Sequence, residues 1–169
     1  YVRRVGLYTV FLVIKYLAIG AAPDDIMILC RADVAGLHLP DINDGLHAQQ
    51  IPYTGKSDQY HGPDNNEDGV AVYSLYQAKG READHIILVH AVEGPYGFPS
   101  NRRQDELLAP VQPLTVGGIE EERRAFYVAV TRTKRTLDIL TRGDHQSRFL
   151  DEIDDYTETV DAGHVEPLE

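Results

Sequence analysis

Two short stretches carry the side chains best able to do chemistry. In the first, QAKGRE (residues 77–82), Lys79 supplies a cation, Gly80 a flexible backbone position and Glu82 a carboxylate. Gly80 can let the backbone approach a ligand closely, Lys79 can meet a phosphate, and Glu82 can accept hydrogen bonds from sugar hydroxyls. A Lys-Gly pair after a strand is also what an ordinary turn looks like. In the second, EERRAFYVAVTRTK (residues 121–134), Arg132 lies eight residues after Arg124 and nine after Arg123. That is a little over two helical turns, so the three can project to roughly one side. A guanidinium at a helix end can neutralise charge on a transferring phosphoryl group, and lysine lacks its planar fork. A solvated basic stripe is favoured at a helix C-terminus without any such role.

The elements that position these stretches alternate in type. The sequence predicts a helix over 2–20 and a strand at 25–30, then a mixed helical or loop region at 32–50 and an extended piece from Ile51. Residues 55–69 are polar and rich in turn signals, which reads as a surface loop. Strands are predicted at 70–75, 85–91 and 136–141, a short helix near 103–109, and a long helix over 119–134. Glu120, Glu121 and Glu122 in the first turn of that long helix suit the positive end of its dipole. Ser147 is a good N-cap for a last helix reaching Asp155, and residues 156–169 form an acidic tail expected to fray. Strands that are apolar throughout and separated by helices indicate an α/β fold with a mainly parallel sheet covered on both faces. Ligands on such sheets bind at the carboxyl ends of the strands, where the Lys-Gly turn is expected to sit.

At 169 residues, with 43% hydrophobic and 25% charged side chains, the chain fits one globular domain. Its single cysteine, Cys30, rules out an intrachain disulfide and a cysteine cage for a metal, and suits a reducing cytoplasm. None of the seven histidines has metal-motif spacing, so no metal site is expected. A net charge of −11 argues against a general nucleic-acid binder, yet residues 121–142 hold six basic side chains against three acidic. That window is +3 and the remainder −14, a local basic site in an acidic body. The chain begins at Tyr1 rather than Met, as expected of a piece of a longer protein.

Residues 5–22 could serve as a membrane anchor, since Arg3 and Arg4 precede an apolar stretch. Lys15 near its middle would cost about 2–3 kcal/mol in a bilayer. Gly20 and Pro23 end it as a helix-to-strand turn ends. A core helix covering the strand at 25–30 is the better reading, and no membrane partner is expected.

The sequence contains no G-x-x-x-x-G-K-[ST] loop and no evident Mg²⁺-binding acidic pair, so alone the chain should not hydrolyse ATP. Together, SLYQAKGREADHIILV resembles motif V and EEERRAFYVAVTRTKRTLDIL motif VI of the UvrD/Rep-type superfamily 1 DNA helicases. GPYGFPS, DELL and SRFLDEI are most similar to the DNA helicase IV subgroup. The resemblance covers about residues 10–153. It implies the second RecA-like motor domain of a 3′-to-5′ DNA helicase, a P-loop NTPase-type domain that itself lacks the Walker A loop. ATP would bind in a cleft shared with the N-terminal P-loop motor domain, which holds Mg²⁺.

By motif, Arg132 would be the catalytic arginine finger and Glu82 would face the ATP ribose beside Gly80. Arg123, Arg124 and Tyr127 would support the cleft, and Ser74, Tyr76, Gln77 and Lys79 would contact single-stranded DNA. Repair proteins or RNA polymerase are further partners of the kind implied, and the cytoplasm the expected location. Three departures stand out: Tyr76 in place of His, Arg81 in place of Leu, and Thr133 in place of Ala after the finger. The alternatives are a clamp that remodels a polymerase complex without unwinding, a membrane-anchored interaction domain, and a regulatory copy that binds no nucleotide.

Overall fold

Five apolar residues in succession, Ile26–Cys30, make a strand (β1) that is buried along its whole length. Such a strand needs cover on both faces. The computed structural model describes residues 2–31, 39–54, 68–94, 96–100 and 118–161. In it β1 is the middle strand of five, in the order β2-β3-β1-β4-β5, and every pairing is parallel. The others are β2 (Tyr53–Thr54), β3 (Val70–Ser74), β4 (Ala83–Leu88) and β5 (Thr133–Ile139). This is the α/β architecture with a parallel sheet that the apolar strands predict.

Alternation along β1 divides the core. Ile26, Ile28 and Cys30 join Val70, Val72 and Ile87 against helices α1 (Val2–Ala18) and α2 (Leu39–Ala48), through Val10, Val13, Tyr16, Ile42 and Leu46. Met27 and Leu29 join Ile86 and Leu88 on the other face, under Phe126 and Ala129 of helix α3 (Gly118–Val130) and under Phe98 and Phe149. Each fully buried Ile, Leu or Phe contributes about 1.5–3 kcal/mol relative to exposure. Helices α1 and α2 pack closely because position 45 has no side chain: a Cβ there would lie 2.7 Å from Val10 Cγ2. The core-helix reading of the first segment therefore holds, and no described helix is long and apolar enough to cross a membrane.

Several boundaries differ from the sequence reading. The long helix stops at Val130, not 134, and β5 starts at Thr133, not 136. Sheet pairing outweighs helix propagation here, because Thr133 and Thr136 are β-branched and align with Ala83 and His85 of β4. β4 itself occupies Ala83–Leu88 rather than 85–91. Among the described residues past Ser147 there is no α-helix but two 3₁₀ turns, Arg148–Leu150 and Asp154–Tyr156. Phe149 is drawn into the core and Arg148 pairs with Glu93, which breaks a continuous helix. The expected helix near 103–109 and most of the loop at 55–69 lie outside the described residues.

One connection has a special form. β1 lies between β3 and β4, so the chain from the carboxyl end of β3 to the amino end of β4 must cross β1. Crossovers between parallel strands usually carry a helix. Here residues 75–82 cross as a bare strap on the α3 face, with Ala78 buried against the sheet. Only the upper part of QAKGRE thus lies near the carboxyl edge. Glu82 is at the opposite, amino edge, next to Ala83, which corrects the single location expected from the sequence.

On the other face a polar chain pins α1 to β4 and β5. The Tyr16 hydroxyl donates to Asp138 Oδ2 and accepts from Thr136 Oγ1 at 3.0 Å, and Thr136 Oγ1 lies 2.7 Å from His85 Nδ1. The Tyr16 ring stacks on His85 at 4.3 Å. Burial, and then the bond to Asp138, push the Tyr16 phenol up to about 12. In the unfolded chain that proton leaves near pH 10. Stability contributed by the protonated phenol is therefore whole below about pH 10 and is lost as pH rises to about 12. Urea denaturation at stepped pH should show a steeper alkaline fall for the unmodified chain than for Tyr16→Phe. Parallel curves would show that another group titrates there.

Candidate functional site

The strap begins in a reciprocal pair. Gln77 Oε1 accepts from the Ser74 N–H at 2.8 Å, and Ser74 Oγ accepts from the Gln77 N–H at 3.4 Å. This is the S-x-x-Q capping box of a helix start. It is followed by one turn, in which the Ala78 N–H bonds to the Ser74 carbonyl at 3.0 Å. A second turn follows, in which the Arg81 N–H bonds to the Ala78 carbonyl at 3.0 Å and Gly80 takes the left-handed position at φ +77°. No described atom would come within 4 Å of a Cβ at Gly80, so the conformation requires glycine there rather than a close approach. Beyond it Arg81 lies over the Tyr73 ring, its guanidinium 5.0 Å from the centroid. Ser74 is buried and belongs to the frame of the turn. Tyr76 is 81% exposed, and Lys79 is also exposed.

At the lower end the strap meets the end of α3. The Ala83 N–H donates to the Arg132 carbonyl at 3.2 Å, so the residue after Glu82 is bonded directly to Arg132. The acidic first turn of α3 suits its dipole, and its last carbonyls are satisfied by side chains just beyond its end. Thr131 Oγ1 donates to the Tyr127 carbonyl at 2.8 Å, and Arg132 Nε to the Val128 carbonyl at 3.2 Å. Arg132 therefore sits in the turn after the helix rather than on it. Its terminal nitrogens make no hydrogen bond among the described residues, and neither does the Glu82 side chain. A cation and a carboxylate stand at one edge of the sheet.

The other basic residues divide. Arg124 and Tyr127 are exposed on α3. Arg123 is engaged within the domain, pairing with Glu120, pairing with Glu152 at 2.9 Å and lying 5.7 Å over the Phe149 ring. It does not share a neighbourhood with Arg132. Those two carboxylates, Glu120 first, hold its guanidinium pKa above the usual arginine value. Near the carboxyl edge, Arg148 grips Glu93 through two bonds of 2.6 and 3.1 Å, and Arg148 keeps the Glu93 carboxyl below its ordinary pKa. Among the described residues no three His, Cys, Asp or Glu side chains could hold a metal ion.

Sequence reasoning missed Arg31. It follows β1, pairs with Glu122 of α3, and faces the Phe98 ring at 5.8 Å. Glu122 also accepts from the Ser100 N–H at 2.9 Å, so one carboxylate joins β1, α3 and the segment after β4. Arg31 and Glu122 are 91 positions apart and carry no local signal. The S-x-x-Q pattern at Ser74 was legible and identifies the turn.

Comparison with known proteins places these motifs in a common setting. The profile of the UvrD-like helicase C-terminal domain matches residues 55–143. DNA helicase IV of Escherichia coli (strain K12) is 34% identical over 82 residues, covering 46% of this chain and 12% of that protein. DNA helicase II of Rickettsia typhi is 36% identical over 101 residues, covering 54% of this chain and 14% of that protein. The chain thus spans about one eighth of the length of these relatives. Among solved structures, the C-terminal domain of a possible DNA helicase from Lactobacillus plantarum superposes with a TM-score of 0.48 at 17% identity. The match covers 86% of this chain and 71% of that one.

Replacing Glu122 by Ala strands the Arg31 guanidinium, whose side chain is only 16% exposed. The expected loss is about 2–4 kcal/mol in urea denaturation. Glu122→Gln, which keeps an acceptor for Ser100, should lose less. Equal stability of the Ala variant and the unmodified chain would show that the pair contributes nothing net.

Proposed function

The chain belongs to the UvrD-like helicase C-terminal domain family, with 89 of its residues, 55–143, inside the family profile, and we propose that it is the second motor domain of an ATP-dependent DNA helicase. The motor translocates 3′ to 5′ along single-stranded DNA and works only with the N-terminal P-loop domain of the same protein. The observation that carries this reading is the bond from the Ala83 N–H to the Arg132 carbonyl, which brings the end of QAKGRE beside the turn after α3.

In this reading Arg132 is the arginine finger. Its Nε is held by the Val128 carbonyl, which leaves the two terminal nitrogens to meet phosphate oxygens. Glu82 accepts from the nucleotide's ribose hydroxyls, and Gly80 shapes the backbone that delivers it. Bound ATP supplies the phosphoryl group, and its Mg²⁺ belongs to the P-loop domain. Arg124 and Tyr127, both exposed on α3, face that domain across the cleft, and Arg123 braces the helix beneath them through Glu152.

The upper end of the strap meets DNA. Tyr76 stacks on a base and Lys79 pairs with a backbone phosphate, while Ser74 and Gln77 hold the turn that presents them. Cleft closure on ATP then pulls on the lower end of a strap whose upper end holds the strand. A net charge of −11 is compatible with this, because only the cleft-facing edge has to be basic.

The test uses the full-length protein, with ATP turnover measured with and without single-stranded DNA. Arg132→Ala should lower DNA-stimulated kcat by about 10³-fold. Tyr76→Ala should instead raise the DNA concentration needed for half-stimulation by about tenfold, a loss of about 1–3 kcal/mol per stacked base. DNA-stimulated turnover that Arg132→Ala leaves unchanged would remove the finger assignment.

A further inference from the structure

The pairing of β4 with β5 is irregular immediately after Arg132. Ala83 aligns with Thr133 but His85 with Thr136, so β5 carries one extra residue between the two. This is a β-bulge, and bulges next to functional sites re-aim side chains. Its effect here follows from the register. Without the extra residue, the His85–Thr136 alignment would put Lys134 opposite Ala83. The Ala83 N–H would then meet the Thr133 carbonyl, and Arg132 would be displaced from Glu82 by one residue. A one-residue slip also turns each side chain to the other face.

The bulge is fastened on several sides. Thr133 Oγ1 donates to the Thr136 carbonyl at 2.6 Å, closing the extra residue into a loop, and lies 3.4 Å from the Asp84 carbonyl. Arg135 reaches back to Asp84 Oδ2 at 3.0 Å, but its side chain is 70% exposed, where such a pair is weak. Thr136 Oγ1 holds His85 Nδ1 at 2.7 Å on the far side. Among the described residues, only the Thr133 hydroxyl bonds one end of the bulge to the other.

We propose that Thr133 is a positioning residue for Arg132: its hydroxyl locks the β5 bulge that keeps Arg132 in register with Glu82. This rests on the reading of Arg132 as the finger. Thr133 touches no reacting atom and acts through the backbone of its neighbour.

Thr133→Val, which keeps the shape and β-branching but loses the hydroxyl, is compared with Thr133→Ser, which keeps the hydroxyl. In the full-length protein Thr133→Val should lower kcat for ATP about ten- to a hundredfold with KM nearly unchanged. Thr133→Ser should restore most of it. In an Arg132→Ala background Thr133→Val should cost nothing further. Hydrogen exchange at the Ala83 amide reads the lock without using activity: it should quicken at least about tenfold in the Val variant. Exchange at Ile87 in the core should stay the same.

Unchanged Ala83 exchange in the Val variant overturns the lock whatever Arg132 does. Quickened exchange with unimpaired kcat, while Arg132→Ala is impaired, overturns the positioning role and leaves the finger standing. An equal loss of kcat in the Arg132→Ala background places the effect of Thr133 elsewhere and also overturns the proposal. If Arg132→Ala turns over ATP normally, the finger reading falls and the positioning role with it. If Thr133→Val fails to fold, Thr133→Ser decides, since a folded Ser variant without kcat or without Ala83 protection overturns the proposal.

Discussion

The placement of β1 between β3 and β4 is the constraint from which the rest follows. A strand of five apolar residues, buried on both faces, is stable only at the centre of the sheet with helices on either side. Once it is there, β3 and β4 cannot be neighbours, and the chain joining them has to travel from one edge of the sheet to the other. Burying Ala78 holds that chain against the sheet, while the capping pair of Ser74 and Gln77 and the bond from Ala83 to Arg132 fix its two ends. Residues from one short motif are therefore delivered to opposite edges.

The two ends are built differently. The upper end is a local device made within four residues, and it presents an exposed aromatic and an exposed lysine. The lower end is assembled from distant parts of the chain: the turn after α3, the first residue of β4 and a bulge in β5. It has little hydrophobic anchorage, since Lys134, Arg135 and Thr136 are exposed. Hydrogen bonds carry its geometry, each contributing about 0.5–1.5 kcal/mol. Such a site is well defined in direction without being rigidly buried.

Much of this was legible in the sequence. The apolar run that makes β1, the apolar residues 86–89 at and after the end of β4, the acidic first turn of α3, and the glycine and proline that end the first helix segment each state a local physical preference, and the structure follows them. What was not legible depended on distant partners. The end of α3 moves four residues because Thr133 and Thr136 find β4, which the residues around them do not announce. The segment after Ser147 has helical spacing at Phe149, Leu150 and Ile153, but the bidentate grip of Arg148 on Glu93 divides it. Arg31 and Glu122 could not have been paired by any pattern. The Lys-Gly turn was recognised, yet its span across the sheet depends on strand order, which composition and spacing do not encode.

The strap also restricts how the gene can change. Six strand positions separate the levels of Ser74 and Ala83 by the observed registers, and two strand spacings separate β3 from β4. At about 3.3 Å per residue and about 4.8 Å per strand, the ends are about 22 Å apart. Two successive turns lie within that span, one closed by the Ala78 N–H on the Ser74 carbonyl at 3.0 Å and one by the Arg81 N–H on the Ala78 carbonyl at 3.0 Å. Each turn closes on a fixed count of residues. A single-codon deletion in this stretch would pull Ser74 or Glu82 out of place, and an insertion would lift Ala78 from the sheet. Substitution at constant length is the change that this stretch accommodates.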